Sequence, residues 1–171
     1  MKMSSIYNPR QTVLVTCSEI IENKFTSREE EKDNIITVDW HTPLSFKPFF
    51  YAIAIGKTRY SHKLIKESMV FVVNFMPFHL KKEVLYCGRH TGEHLDKFKG
   101  SGLIKEEGDK IHCCKIKEAL AHIECEVVNA IDIGDHTLFI GKVVYSEEKD
   151  EEGRRIFHTE GDNFVTTNHQ I

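Results

Sequence analysis

Runs of apolar and β-branched residues set the rhythm of this chain. Thr12–Cys17 (TVLVTC) reads as a first strand. Asn34–Trp40 alternates strictly, with Ile35, Thr37 and Asp39 on one face and Ile36, Val38 and Trp40 on the other. Phe49–Ile55 is almost wholly apolar, which predicts a strand covered on both faces. Met69–Phe75 is a fourth strand, ended by Pro77. Ala121–Asp132 alternates Ile123, Cys125 and Val127 with Glu124 and Glu126, the mark of a half-buried strand. Gly134–Asp135 signals a hairpin turn into His136–Tyr145, where Gly141 predicts a bulge or a close approach.

Between the strands the period changes. Ser61–Ser68 has helix character, and His79–Cys87 carries Leu80, Val84, Leu85 and Cys87 near helical spacing. Gly88 is expected to break that helix, and Glu93–Lys99 to add a helical turn. The polar stretch Ser18–Lys32, with its run REEEK, reads as an extended hairpin loop or a short exposed helix. His41–Ser45 (HTPLS) reads as a turn because Pro43 lacks an N–H. Cys113–Leu120 is irregular or edge-like, Ser146–Arg155 a charged loop, and Ile156–His158 with Asn163–Val165 a small terminal element. Six antiparallel-style strands with inserted helices predict a mainly β fold, a closed barrel decorated with helices.

Composition narrows the class. A chain of 171 residues suits one domain with a core that needs no covalent staples. Apolar residues make up 40% and charged residues 29%, and the net charge is −3, without the basic excess of a nucleic-acid binder. No apolar run approaches the roughly 20 residues of a membrane span, and MKMSSIYNPR has no signal-peptide core. The expected setting is cytoplasmic. The five cysteines, Cys17, Cys87, Cys113, Cys114 and Cys125, are an odd count with two adjacent, which predicts free, mostly buried thiols and no disulfide framework.

The candidate chemistry is sparse. No GxGxxG, Walker or GxSxG motif is present. A strand, Gly56 and a basic, hydroxyl-rich turn (Lys57, Thr58, Arg59, Tyr60, Ser61) precede a helix start. Free N–H groups and the helix dipole favour anions there, and Arg59, Ser61 and Lys63 add donors. The same pattern describes an ordinary capped surface helix. His136 after a Gly–Asp turn serves either a ligand or its own turn backbone. Trp40 packs either on a flat ring or in the core. His90 and His94 could share a helix face, but no full zinc set accompanies them; His112, Cys113 and Cys114 are too close together to chelate.

Several blocks change this picture: NIITVDW with HTPLSF, AIAIGKTRYSHKLIKES, FVVN, YCGRHTGEHLDKF, HIECEV and GDHTLFIGKV, with RIFHTEGDNF a looser match at the tail. In this order they resemble the flavin reductase family of FMN-binding split barrels, which includes flavoredoxins. The resemblance implies one six-stranded antiparallel Greek-key split barrel over residues 1–171, with inserted helices, that dimerises and holds FMN noncovalently near the dimer interface. Arg59 and Ser61 would hold the FMN phosphate. Thr37, Val38, Trp40 and Thr42 would lie along the isoalloxazine and ribityl chain, and Ile55 would approach through its backbone. Cys87 and Gly88 would come close to the flavin, and Phe164 would cover the ring. The implied activity is NAD(P)H-dependent flavin reduction, with His136 assisting nicotinamide binding or proton transfer. The alternatives are an FMN electron carrier served by a redox partner protein, or a ligand-binding module without NAD(P)H turnover. A third reading is a zinc protein using His90, His94 and cysteines; the flavin readings require no metal.

Overall fold

The computed structural model describes residues 6–22 and 29–167. Its strands are β1 (Arg10–Gln11), β2 (Val13–Glu22), β3 (Glu29–Val38), β4 (His41–Phe46), β5 (Phe49–Gly56), β6 (Val70–Phe75), β7 (Lys105–Glu107), β8 (Cys114–Ile116), β9 (Ala121–Ile133), β10 (His136–Glu148), β11 (Phe157–His158) and β12 (Phe164–Val165). Among the described residues three α-helices intervene, α1 (Tyr60–Ser68), α2 (Lys81–Arg89) and α3 (Lys97–Ser101), with a short 3-10 turn at Phe78–Leu80 leading into α2. The main sheet has seven antiparallel strands in the order β3-β2-β6-β9-β10-β5-β4, with small sheets β1-β11-β12 and β7-β8 beside it.

The expected closed, six-stranded barrel is therefore corrected on two counts. The seventh strand is His41–Phe46, expected as a turn. Pro43 is tolerated there because β4 pairs only with β5 and its other side is an open edge; a register shift follows between Pro43 and Ser45. The sheet also stays open. Its two edge strands, β3 and β4, are consecutive in the chain and joined only by Asp39 and Trp40, so the sheet curls until they meet at that corner, where Ala54 N–H donates to Trp40 O (2.8 Å). Among the described residues no ladder joins β3 to β4.

Other expectations shift more locally. Ser18–Lys32 is strand on both sides, since β2 runs to Glu22 and β3 starts at Glu29; residues 23–28 lie outside the described residues. The Glu93–Lys99 helix begins only at Lys97, Cys114–Ile116 is a paired strand, and β10 extends into the charged loop as far as Glu148. The terminal element forms as expected from β11 and β12, joined by β1.

Alternation places the core. Val13, Val15 and Cys17 of β2 face the inside of the curled sheet with Val38, Phe71 and Phe139, while Leu14 faces the other side with Ile35, Val84 and Cys87. Gly141 is both bulge and close approach: a Cβ there would lie 2.6 Å from Cys125 Cβ and 2.8 Å from Phe71 Cζ. All five cysteines are free and buried. Among the described residues no helix is long and apolar enough to cross a membrane.

Candidate functional site

The site grows from the turn after β5. Arg59 N–H donates back to Gly56 O (2.9 Å), and Lys57 N–H donates to Asp135 O (2.9 Å) in the β9–β10 hairpin. The Lys57 ammonium also lies 3.4 Å from the Asp132 carboxylate. This turn delivers the chain to α1 with Arg59 at the N-cap in an extended conformation and no side chain capping the helix. The uncapped first turn leaves backbone N–H groups for another acceptor. Ser61 does not cap α1. It is buried one residue inside, where its hydroxyl accepts from Asn34 Nδ2 (2.7 Å) and braces α1 against β3.

A cleft of about 300 Å³ opens in front of this turn, between β3 and α2. It is lined by Ile36, Thr37, Thr58, Arg59, Tyr60, Ser61, Cys87, Gly88, Arg89, His90, Thr91, Gly92 and Lys97. A recess of about 200 Å³ continues it along β3, lined by Ile36, Thr37, Val38, Asp39, Trp40, Ala54, Ile55, Gly56, Arg59 and His136. Ile36, Thr37 and Arg59 belong to both, so the two form one groove. The structure thus gathers Thr37, Arg59, Ser61, Cys87 and Gly88 at one end and Val38, Trp40, Ile55 and His136 at the other.

Thr42 and Phe164 stand outside this groove. Thr42 is exposed on β4, which turns away after the corner to pair with β5. Phe164 packs against the outer core and lies 5.6 Å from the His158 ring, beside a separate hollow with Lys81, Lys82 and Leu85.

Two glycines let the walls close in. Gly88 does not end α2, which runs on to Arg89. It is the point where the helix crosses β3, since a Cβ there would sit 3.2 Å from Thr37 Cβ, and Thr37 Oγ1 donates to Val84 O (2.6 Å) just below. At Gly92 the Asn34 amide fills the space of a side chain.

The electrostatics are one-sided. The first cleft presents Arg59, Arg89, Lys97 and His90, with no carboxylate lining it among the described residues. Asp39, in the recess, is already engaged: Oδ1 accepts from Thr12 Oγ1 (2.6 Å), and Oδ2 lies 2.8 Å from His158 Nδ1. Lys97 is 5% exposed and donates to Ile35 O (2.7 Å) and Cys87 O (2.8 Å). Burial lowers its pKa. Burial also pushes the Cys87 thiol up to about 11, with Lys97 pulling the other way, so Cys87 is a thiol at neutral pH and a weak nucleophile.

His136 bonds within its turn through a neighbouring side chain and not through the turn backbone. Nδ1 lies 2.7 Å from Asp135 Oδ1 in the turn, which holds the Asp135 carboxyl below its usual range, while the ring faces the recess. Its centroid is 4.7 Å from that of Trp40 at an interplanar angle of 31°. Trp40 is 43% exposed and lies beneath the Arg10 guanidinium (5.4 Å), so it is a wall of the recess and not a core residue. His90 stacks on Tyr86 (4.1 Å), and among the described residues no three His, Cys, Asp or Glu side chains are placed to hold a metal. Sequence reasoning named Thr58 in the turn but missed Arg89, Thr91 and Lys97 as lining residues. The first two adjoin residues it named, but nothing in the local pattern distinguishes Lys97 from a surface lysine.

The family described as the flavin reductase like domain matches residues 4–165. An uncharacterized protein of Archaeoglobus fulgidus is 42% identical over 115 residues, 67% of this chain and 65% of its own length. A ferric-chelate reductase (NAD(P)H) of the same organism is 32% identical over 105 residues, 61% of each chain. The chain therefore matches somewhat under two thirds of the length of either relative. The crystal structure of an FMN-binding protein from Thermus thermophilus with bound p-hydroxybenzaldehyde superimposes with a TM-score of 0.85, covering 100% of this chain and 93% of its own, at 23% identity. That last likeness is one of fold.

Proposed function

The chain belongs to the flavin reductase like family, and on that premise we propose that it is an FMN-dependent oxidoreductase that takes hydride from NADH or NADPH. The observation that carries this reading is the groove itself: an uncapped helix start beside Arg59 and Lys97, facing no carboxylate, opens into a recess walled by Trp40 and His136. This donor set fits a phosphorylated flavin. The first-turn amides of α1, the Thr58 hydroxyl and the Arg59 guanidinium hold the phosphate. β3 is an edge strand, and Ile35 O points away from β2 to Lys97, so by alternation the N–H and C=O of Thr37 also point out of the sheet and are available to the polar edge of a flavin ring. FMN, when bound, supplies the hydride chemistry. The chain's residues bind and orient it, Trp40 limits access of water to the recess, and His136 positions the nicotinamide or holds a proton at its free nitrogen.

The reading includes a homodimer. β9 pairs with β6 only as far as Glu126, and beyond it Val128, Ile131 and Ile133 are exposed on an open edge that a second copy covers.

An absorption spectrum of the purified protein, with FMN and then with NADH or NADPH added anaerobically, tests this. Flavin uptake with bleaching by either nucleotide is the expected outcome. Uptake without bleaching would favour an electron carrier reduced by a partner protein. Failure to take up FMN would overturn the flavin reading.

A further inference from the structure

Lys97 is the first residue of α3 and follows Asp96, whose carboxylate caps the helix by accepting from Lys99 N–H (3.0 Å). That cap directs Lys97 inward, under α2 and against β3. Its two acceptors are neutral carbonyls, and among the described residues no carboxylate pairs with it. A buried ammonium without a counter-ion is costly, and the Arg59 guanidinium, which lines the same cleft, acts on it as a second cation. An ammonium has three donors. Two are spent on Ile35 and Cys87, and Lys97 is a lining residue of the cleft that Arg59 and Ser61 also line.

We propose that Lys97 is a specificity-determining residue of this groove, whose ammonium, pinned by the carbonyls of Ile35 and Cys87, supplies the buried counter-charge for the phosphate of the bound flavin and so selects FMN over riboflavin. The inference rests on the flavin reading above. It adds that the phosphate is gripped from both sides, by the Arg59 turn and by Lys97. The same two carbonyl contacts tie β3 to the end of α2, so the ammonium is held in place before the ligand arrives and little ordering is needed on binding.

The test is the affinity of native protein, Lys97→Gln and Lys97→Arg for FMN and for riboflavin, which lacks the phosphate. Lys97→Gln is expected to weaken FMN about 10- to 100-fold and riboflavin less than about threefold, the size of a lost charge-assisted hydrogen bond. Lys97→Arg retains most of the preference for FMN. Equal loss of both ligands, or loss of neither, would overturn the inference and leave Lys97 a structural staple. Native protein that binds neither ligand would sink the flavin reading first, and this inference with it. If Lys97→Gln does not fold, native protein labelled with ¹⁵N-lysine answers instead. Inorganic phosphate should shift the Lys97 Nζ resonance saturably and FMN should compete; an unmoved resonance at saturating FMN would overturn the inference.

Discussion

Lys97 and Glu124 are both charged and both buried, and the fold treats them in opposite ways. The Glu124 carboxylate is closed off by its own chain, accepting from the N–H groups of Asp109 (2.6 Å), Lys110 (2.8 Å) and Ile111 (3.2 Å). Lys115, Asp109 and Glu147 form a further ion cluster beside it. Nothing there is left for a ligand. Lys97 has two carbonyls, no counter-ion among the described residues and a place in the lining of a cleft. A buried charge whose bonding capacity is filled by backbone holds a loop in place. One that is left incomplete at a cavity keeps bonding capacity that an outside partner can use.

The contrast can be broken by mutation. The largest effect is expected at Glu124→Ala, which strands three N–H groups and should cost about 2–4 kcal/mol by urea unfolding while leaving flavin affinity unchanged. A matching loss of flavin affinity would erase the distinction between the two regions. Arg59→Ala comes next. It should lower FMN affinity about tenfold or more, yet shift unfolding by less than about 0.5 kcal/mol, because Arg59 is exposed. Lys97→Met should change stability by only about 1 kcal/mol, since relief of the ammonium's desolvation offsets two lost hydrogen bonds. A cost as large as that at Glu124 would mean that Lys97 serves the fold first.

The smallest effect sharpens the comparison through pH. His122 is fully buried near the Glu124 cluster; its Nε2 donates to Ile116 O (2.7 Å), and burial lowers its pKa from about 6.5. The unfolded chain therefore takes up a proton before the folded one. The stability from neutral His122 is complete above about 6.5 and is lost as pH falls below it towards the folded value. Urea unfolding from pH 7.5 to pH 5 should show this decline, and His122→Gln should make it shallower.

Much of the fold was legible because it is periodic. Alternation at Asn34–Trp40 and at Ala121–Asp132 marked β3 and β9, and Gly134–Asp135 marked the hairpin between β9 and β10. His41–Phe46 was not legible, since a mostly exposed strand with a proline has no buried apolar face and exists because β5 offers it a ladder. The site divides in the same way. Arg59 and Ser61 announce themselves through a strand, a glycine and a helix start that are contiguous in the chain, whereas Thr42 and Phe164 lie in expected segments that the fold carries elsewhere.

From its own pattern, then, the chain specifies which residues face inward along each regular strand, where the hairpin turns, which family it belongs to and where a glycine turn leads into a helix. Burying one face of a strand is a local condition, and it must be written at every second residue. The open seven-stranded sheet, the groove shared by β3, α1 and α2, and the burial of Lys97 were decided by tertiary structure alone. The carbonyls that hold Lys97 lie 62 and 10 positions away in the chain. A hydrogen bond of that reach leaves no period in the sequence, because its partner is a backbone oxygen that every residue carries.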